Sequence, residues 1–203
     1  DWDVFLRSCE QSRQIIRVPG VHYHWRIHPA STSTGIDAKP YALNGQLRTL
    51  QDHVLRKNLP ARVEPSEDSG FHVRWEEDAS LFINVIINAV NATEDIILSV
   101  VRLVKKARNE TPGHIRISVL CKKNISFFVE DVTDLDFNVV VISGEDESVR
   151  AINKVANDSF KSEGAVVLLS ADVESTSDNW LADITGWVTK HPSIGFTSGL
   201  ILD

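Results

Sequence analysis

The sequence predicts an α/β fold: a mostly parallel sheet flanked by helices over residues 80–203, preceded by a smaller N-terminal α+β segment. From residue 80 onward, short apolar runs alternate with amphipathic segments. This is the spacing of β-α-β units, whose parallel strands need long, usually helical crossovers. The 203 residues, 42% of them hydrophobic, are enough for the core of one full domain or two small ones. That apolar share, with 24% charged residues and no low-complexity stretch, also excludes a disordered or collagen-like chain.

Residues 1–60 open on a short helical pattern, Val4-Phe5-Leu6 and then Ile15-Ile16, which ends at a Pro19-Gly20 turn. Val21 to His28 alternates with period two. Val21, Tyr23, Trp25 and Ile27 share one face; His22, His24, Arg26 and His28 share the other. Pro29 to Gly35 is a Ser/Thr-rich loop. Lys39 to Leu59 is helical, with Ala42, Leu43, Leu47, Leu50, Val54 and Leu55 at three- and four-residue steps, and Pro60 closes it. Residues 61–79 read as a linker. It carries one short strand, Phe71 to Trp75, between the loop-forming Pro65 to Gly70 and the charge run Glu76-Glu77-Asp78.

In residues 80–203, Leu81 to Ile87 is an apolar strand. Glu94 to Ala107 is a helix, amphipathic through Ile97, Val100, Val101 and Val104. His114 to Leu120 and Phe137 to Ile142 are strands, and Glu147 to Phe160 is a helix. Ala165 to Leu169 is a buried-strand run. Asp178 to Lys190 is a helix with Asp178 as candidate N-cap, and Phe196 to Leu202 is a last strand. Right-handed crossovers follow. In such sheets the ligand site lies beyond the carboxyl ends of the strands, where the strand order switches. Those ends are Asn88 to Asn91, Cys121 to Asn124, Ser143 to Glu145 and Ser170 to Asp172.

Composition narrows the function. With 21 Lys+Arg against 28 Asp+Glu, the net charge of -7 opposes general binding to phosphate backbones, so no nucleic-acid partner is expected. No apolar run approaches the roughly 20 residues of a membrane span, and Asp1-Trp2-Asp3 is acidic where a signal peptide is basic. Cys9 and Cys121 make neither a disulfide framework nor a cysteine zinc site, so a reducing cytoplasm is the expected compartment. The absence of Met predicts a processed, trimmed or internal piece of a longer chain. No Gly-x-Gly-x-x-Gly, Walker or Gly-x-Ser-x-Gly sequence occurs.

Three places could carry chemistry. Asp172 and Glu174 follow the Ala165–Leu169 strand and could hold a divalent cation that neutralises phosphate; alternatively they are two solvated acids in a capping segment. Lys122-Lys123, at another strand end, could pair with a diphosphate or lie in a solvated loop. The face of His22, His24, Arg26 and His28 could hold a metal, clamp phosphate through Arg26, or be an ordinary polar sheet face.

Ile152-Asn153 through Gly164, Val166 through Glu174, Asn179-Trp180-Leu181 and Pro192 through Gly195 together resemble family-2 glycosyltransferases. The family pattern there is an Asn-bearing helix, a small residue and Gly, an apolar strand, an Asp-x-Asp motif, Trp-Leu, and a closing strand after Pro-x-Val-Gly. Val85 through Asn91, with Glu94-Asp95, is similar to the family's opening strand and its Pro-Thr-x-Asn turn. Together these stretches cover residues 81–203, the donor-nucleotide half of a Rossmann-like GT-A fold. Asp1 through Arg7 resembles the family's Glu-Asp-x-Asp-x-x-x-Arg helix, and Pro19 through Ser33 resembles the sequence that follows it. The order is inverted, acceptor half first. The resemblance thus implies the tail of one transferase domain (residues 1–60) joined through residues 61–79 to the head of a second (80–203), or else a permuted single domain.

The resemblance implies inverting transfer of a sugar from a nucleotide diphosphate sugar to a saccharide hydroxyl, in bacterial surface-polysaccharide assembly. It places Asp1 as catalytic base and Asn88, Asn91, Glu94 and Asn153 at the donor, with Arg26 toward its phosphates; Lys122 joins the donor set on its charge at a strand end. Asp172, with His24 or His28, would hold a divalent cation, Mg or Mn. The chain departs from the family at three points. Ser170 replaces the first Asp of Asp-x-Asp, Asn88-Ala89 replaces Pro-Thr, and Cys121-Lys122 stands where an Asp reads the base. The competing reading is a non-catalytic, diverged GT-A scaffold or carbohydrate-binding module. An incomplete sheet edge leaves a homo-oligomer open.

Overall fold

A computed structural model describes residues 2–24, 40–66, 70–76, 78–123, 135–159, 164–175, 177–191 and 193–199. The elements, in chain order, are α1 (Trp2–Gln11), α2 (Pro40–Arg56), β1 (Ala61–Pro65), β2 (Phe71–Trp75) and β3 (Phe82–Asn88). Then follow α3 (Glu94–Asn109), β4 (His114–Cys121), β5 (Asp136–Val141), α4 (Glu145–Ser159), β6 (Gly164–Ser170) and α5 (Trp180–Lys190). They fall into two compact units, Asp1–Arg74 and Trp75–Asp203. Among the described residues no helix is long and apolar enough to cross a membrane.

The second unit is the predicted α/β fold. Its strands run in the order β5-β4-β3-β6, every neighbouring pair parallel. On one face, Ile83, Val85 and Ile87 of β3 join Ile117 and Val119 of β4 against Val100, Val101 and Val104 of α3 and Leu181 of α5. On the other face α4 packs on β3, β4 and β6. Covered on both sides, β3 is buried along most of its length, which is why it reads as an unbroken apolar run. One polar residue interrupts it. Asn84, 1% exposed, donates from Nδ2 to Ser159 Oγ of α4 and accepts from Ser118 Oγ of β4 at 3.1 Å. Ser159 in turn donates to the Val155 carbonyl at 2.8 Å. Every member of the buried group therefore has a partner, as burial of polar atoms requires.

Close packing also fixes α5. A Cβ added at Gly186 would lie 2.6 Å from Cδ1, 2.7 Å from Cβ and 2.8 Å from Cγ of Trp75. Trp75 is itself buried and stands edge-on to Trp187, ring centroids 4.9 Å apart. Gly186→Ala is therefore expected to destabilise the unit by about 1–2 kcal/mol, the overpacking cost outweighing the helix-propensity gain. The same change at Gly45 in α2, where open space surrounds the position, is expected to stabilise by up to about 1 kcal/mol. Urea midpoints of the two variants check both signs.

In the first unit, α1 packs on α2 and α2 on β1. Glu10 of α1 accepts from Arg56 Nη2 at 2.8 Å and from His53 Nδ1 at 2.7 Å, both on α2. These partners, Arg56 foremost, hold its carboxyl at about 2 against an ordinary 4.5. A carboxyl depressed by folding contributes stability above its unfolded pKa, and the contribution fades as pH falls through the folded value. Amide signals of α1 and α2 followed through urea unfolding are therefore expected to show stability declining from about pH 4.5 to pH 2. Glu10→Gln is expected to flatten that slope.

Four expectations are corrected. Residues 61–79 are not a linker with one strand: β1 and β2 form a hairpin, in which the Ser66 N–H donates to the Gly70 carbonyl at 3.0 Å. The alternation from Val21 forms no strand through residue 24. Val21 and Tyr23 stay 77% and 75% exposed, so it has no face to bury; residues 25–28 lie outside the described residues. Residues 196–199 form no strand either. Phe196 is exposed, and Thr197 donates to the Ile184 carbonyl instead of joining a ladder. Among the described residues this leaves β6 at the sheet edge rather than inside it. Finally, the N-cap of α5 is Asn179, without a side-chain capping bond, while Asp178 pairs with Lys106 at 2.6 Å.

Candidate functional site

After β3 the chain steps outward through β4 to β5, then crosses back to place β6 on the far side of β3. The strand order thus switches between β3 and β6, and a cleft lies at their carboxyl ends, where ligand sites of such sheets form. Two backbone bonds shape its floor: the Ala89 N–H donates to the Leu120 carbonyl at 2.9 Å, and the Ala171 N–H to the Asn88 carbonyl at 3.2 Å. Both alanines are buried, and their small side chains let the backbones close in.

The cleft measures about 490 Å³. Its polar lining comes from Asn88 at the end of β3 and Asn91 beyond it, Ser170 at the end of β6 and Asp172 beyond it, and Ser148 from the start of α4. Val90, Ala92 and Ile96 supply an apolar side. Asp172 Oδ1 accepts a hydrogen bond from the Ser170 hydroxyl. That bond, aided by the residue's own backbone N–H, holds the Asp172 carboxyl below its ordinary range, so it is anionic at neutral pH. Beside the cleft, Lys122 Nζ donates to Asn91 Oδ1 at 2.8 Å. Burial pushes the neighbouring Cys121 thiol up, and its Sγ–H donates to the Lys123 carbonyl at 2.9 Å, so it is held as a neutral thiol.

Of the residues singled out from sequence, Asn88, Asn91 and Asp172 meet in this cleft, and Lys122 is bonded to one of them. Glu94 does not line it. It is an exposed residue of the first α3 turn, and the lining from that helix comes from Ile96. Asn153 is exposed farther along α4, whose contribution is Ser148, and Glu174 is exposed past the lining. His24 is exposed and belongs to the first unit. Asp1, Arg26 and His28 lie outside the described residues. Ser148 escaped the sequence reading because it reaches the cleft only through the crossover of α4. Its one local signal is its place in the first turn of a helix that follows a strand end.

The described donor set does not fit a divalent cation held by the protein alone. Among the described residues no group of three or more His, Cys, Asp or Glu side chains could hold a metal. Asp172 is the single carboxylate among the described lining residues, and its Oδ1 is already bonded to Ser170.

No family model matches the chain, and no solved structure matches it. It is similar to a protein of Sinorhizobium fredii (strain NBRC 101917 / NGR234) described as uncharacterized protein y4gI, with 26% identity over 217 residues. That similarity takes in 96% of this chain but 22% of the relative, so the chain spans less than a quarter of that protein's length.

Proposed function

We propose that the Trp75–Asp203 unit binds a nucleotide diphosphate sugar at the strand-order switch, and that the chain is part of a glycosyltransferase-like protein of polysaccharide assembly in the cytoplasm. One observation carries this reading: side chains from strands on either side of the switch, Asn88 and Asn91 with Asp172, line one cleft. Its volume of about 490 Å³ lies within the range of about 300–1,000 Å³ typical of small-molecule sites. Its chemistry suits a ligand rich in hydroxyls. An ionised carboxylate accepts from a diol, amides both donate and accept, and serine hydroxyls rotate to either role. The GT-A resemblance supplies the class of ligand and the reaction, in which an acceptor saccharide hydroxyl attacks the sugar as the nucleotide diphosphate leaves. The second reading, a non-catalytic diverged scaffold or carbohydrate-binding module, is favoured by Ser170 in place of a carboxylate.

Calorimetry with UDP-, GDP- and dTDP-sugars tests the binding. One donor is expected to bind, and Asp172→Ala to weaken it about tenfold to a hundredfold, the worth of hydrogen bonds to a charged group. Transfer to a saccharide acceptor then separates enzyme from scaffold. A chain that binds no sugar nucleotide at all ends this reading.

A further inference from the structure

We infer that the diphosphate of the bound ligand is neutralised by the Lys122 ammonium and not by a divalent cation; this rests on the nucleotide-sugar reading above. A diphosphate brings concentrated negative charge to a chain whose own net charge is -7, so a local positive partner is needed. Two partners are conceivable at these strand ends. Among the described lining residues a cation would have to be held by Asp172 without a second acid, on a carboxylate already hydrogen-bonded to Ser170. Mg²⁺ is bound through carboxylates together with substrate phosphates, and here the protein's share is meagre.

Lys122 has what the alternative lacks. Lys106 and Lys190 of the same unit are each bonded to a carboxylate, Asp178 and Asp78. The Lys122 ammonium is bonded instead to the neutral amide of Asn91, which leaves its charge uncancelled by that partner. Asn91 lines the cleft, so the bond ties the ammonium to its edge. The cysteine-lysine pair at the end of β4, which departs from the family pattern, becomes a substitution of function: a side-chain cation at a strand tip.

The test is calorimetry of the whole chain with UDP-glucose, GDP-mannose and dTDP-glucose, in EDTA and again in Mn²⁺, alongside the parent nucleosides. Expected are equal affinities in EDTA and Mn²⁺, and a loss of about tenfold or more in Lys122→Ala. Lys123→Ala is expected to bind as the parent does, and nucleoside binding to be equal in the parent and Lys122→Ala. Affinity that appears only with Mn²⁺, or Lys122→Ala with undiminished affinity for the sugar nucleotide, overturns the inference and leaves the nucleotide-sugar reading standing. An equal loss of nucleoside and sugar nucleotide in Lys122→Ala also overturns it, since the lysine would then act on the fold of the site. No binding in either buffer overturns both.

Discussion

Val104→Asp is expected to abolish the cooperative unfolding transition of the Trp75–Asp203 unit at neutral pH. Val104 is 0% exposed on the face of α3 that lies against the sheet, within the apolar cluster of Val85, Ile117 and Val119. Val85, Ile117 and Val119 offer a carboxylate there neither a cation nor a hydrogen-bond donor. Burying an unpaired charge costs several kcal/mol, comparable to the roughly 5–15 kcal/mol that holds a whole domain together. Near-UV circular dichroism during urea titration reads the outcome. Ser99→Asp, on the exposed side of the same helix, is the control and is expected to shift stability by no more than about 0.5 kcal/mol. Equal effects at the two positions would show that α3 is turned otherwise.

Leu181→Ala is expected to lower stability by about 2–5 kcal/mol, the range for truncating a fully buried leucine. Leu181 is 0% exposed in the first turn of α5, and its carbonyl accepts from Thr185 Oγ1 at 2.7 Å. It anchors the helix that follows the Asp172 loop, so the sugar-nucleotide binding we propose is expected to weaken as well. Leu181→Met keeps the volume and is expected to cost less than about 1.5 kcal/mol. A loss well under 1 kcal/mol for the alanine variant would mean that α5 contributes little to the core.

The β-α-β part of the fold was legible because its burial is periodic. Strands and helices from β3 to α5 fall within two residues of the apolar runs that predict them, since each run covers a face that packing does bury. Where alternation and burial part company, the reading failed. Val21 and Tyr23 alternate but stay exposed, whereas β1 buries only Val63, too little apolar pattern to announce a strand. The cleft was half legible. Strand ends are fixed by the fold class, so Asn88, Asn91 and Asp172 could be placed at one rim before any coordinates. Glu94 and Asn153 sit near motif residues in sequence, yet helix phase sends them elsewhere, and Ser148 arrives from a distant part of the chain. Nothing in an apolar run around Asn84 reveals that its amide will find two serines, one of them 75 residues away.

That amide sets the vertical index of α4. A slip of the helix by one turn, about 5.4 Å, would carry Ser159 out of reach and orphan a buried side chain at a cost of about 1–3 kcal/mol. The far end of α4 holds Ser148 in the cleft wall. The height of this hydroxyl in the cleft wall is thus gauged from the opposite end of the helix, by a notch buried within the unit.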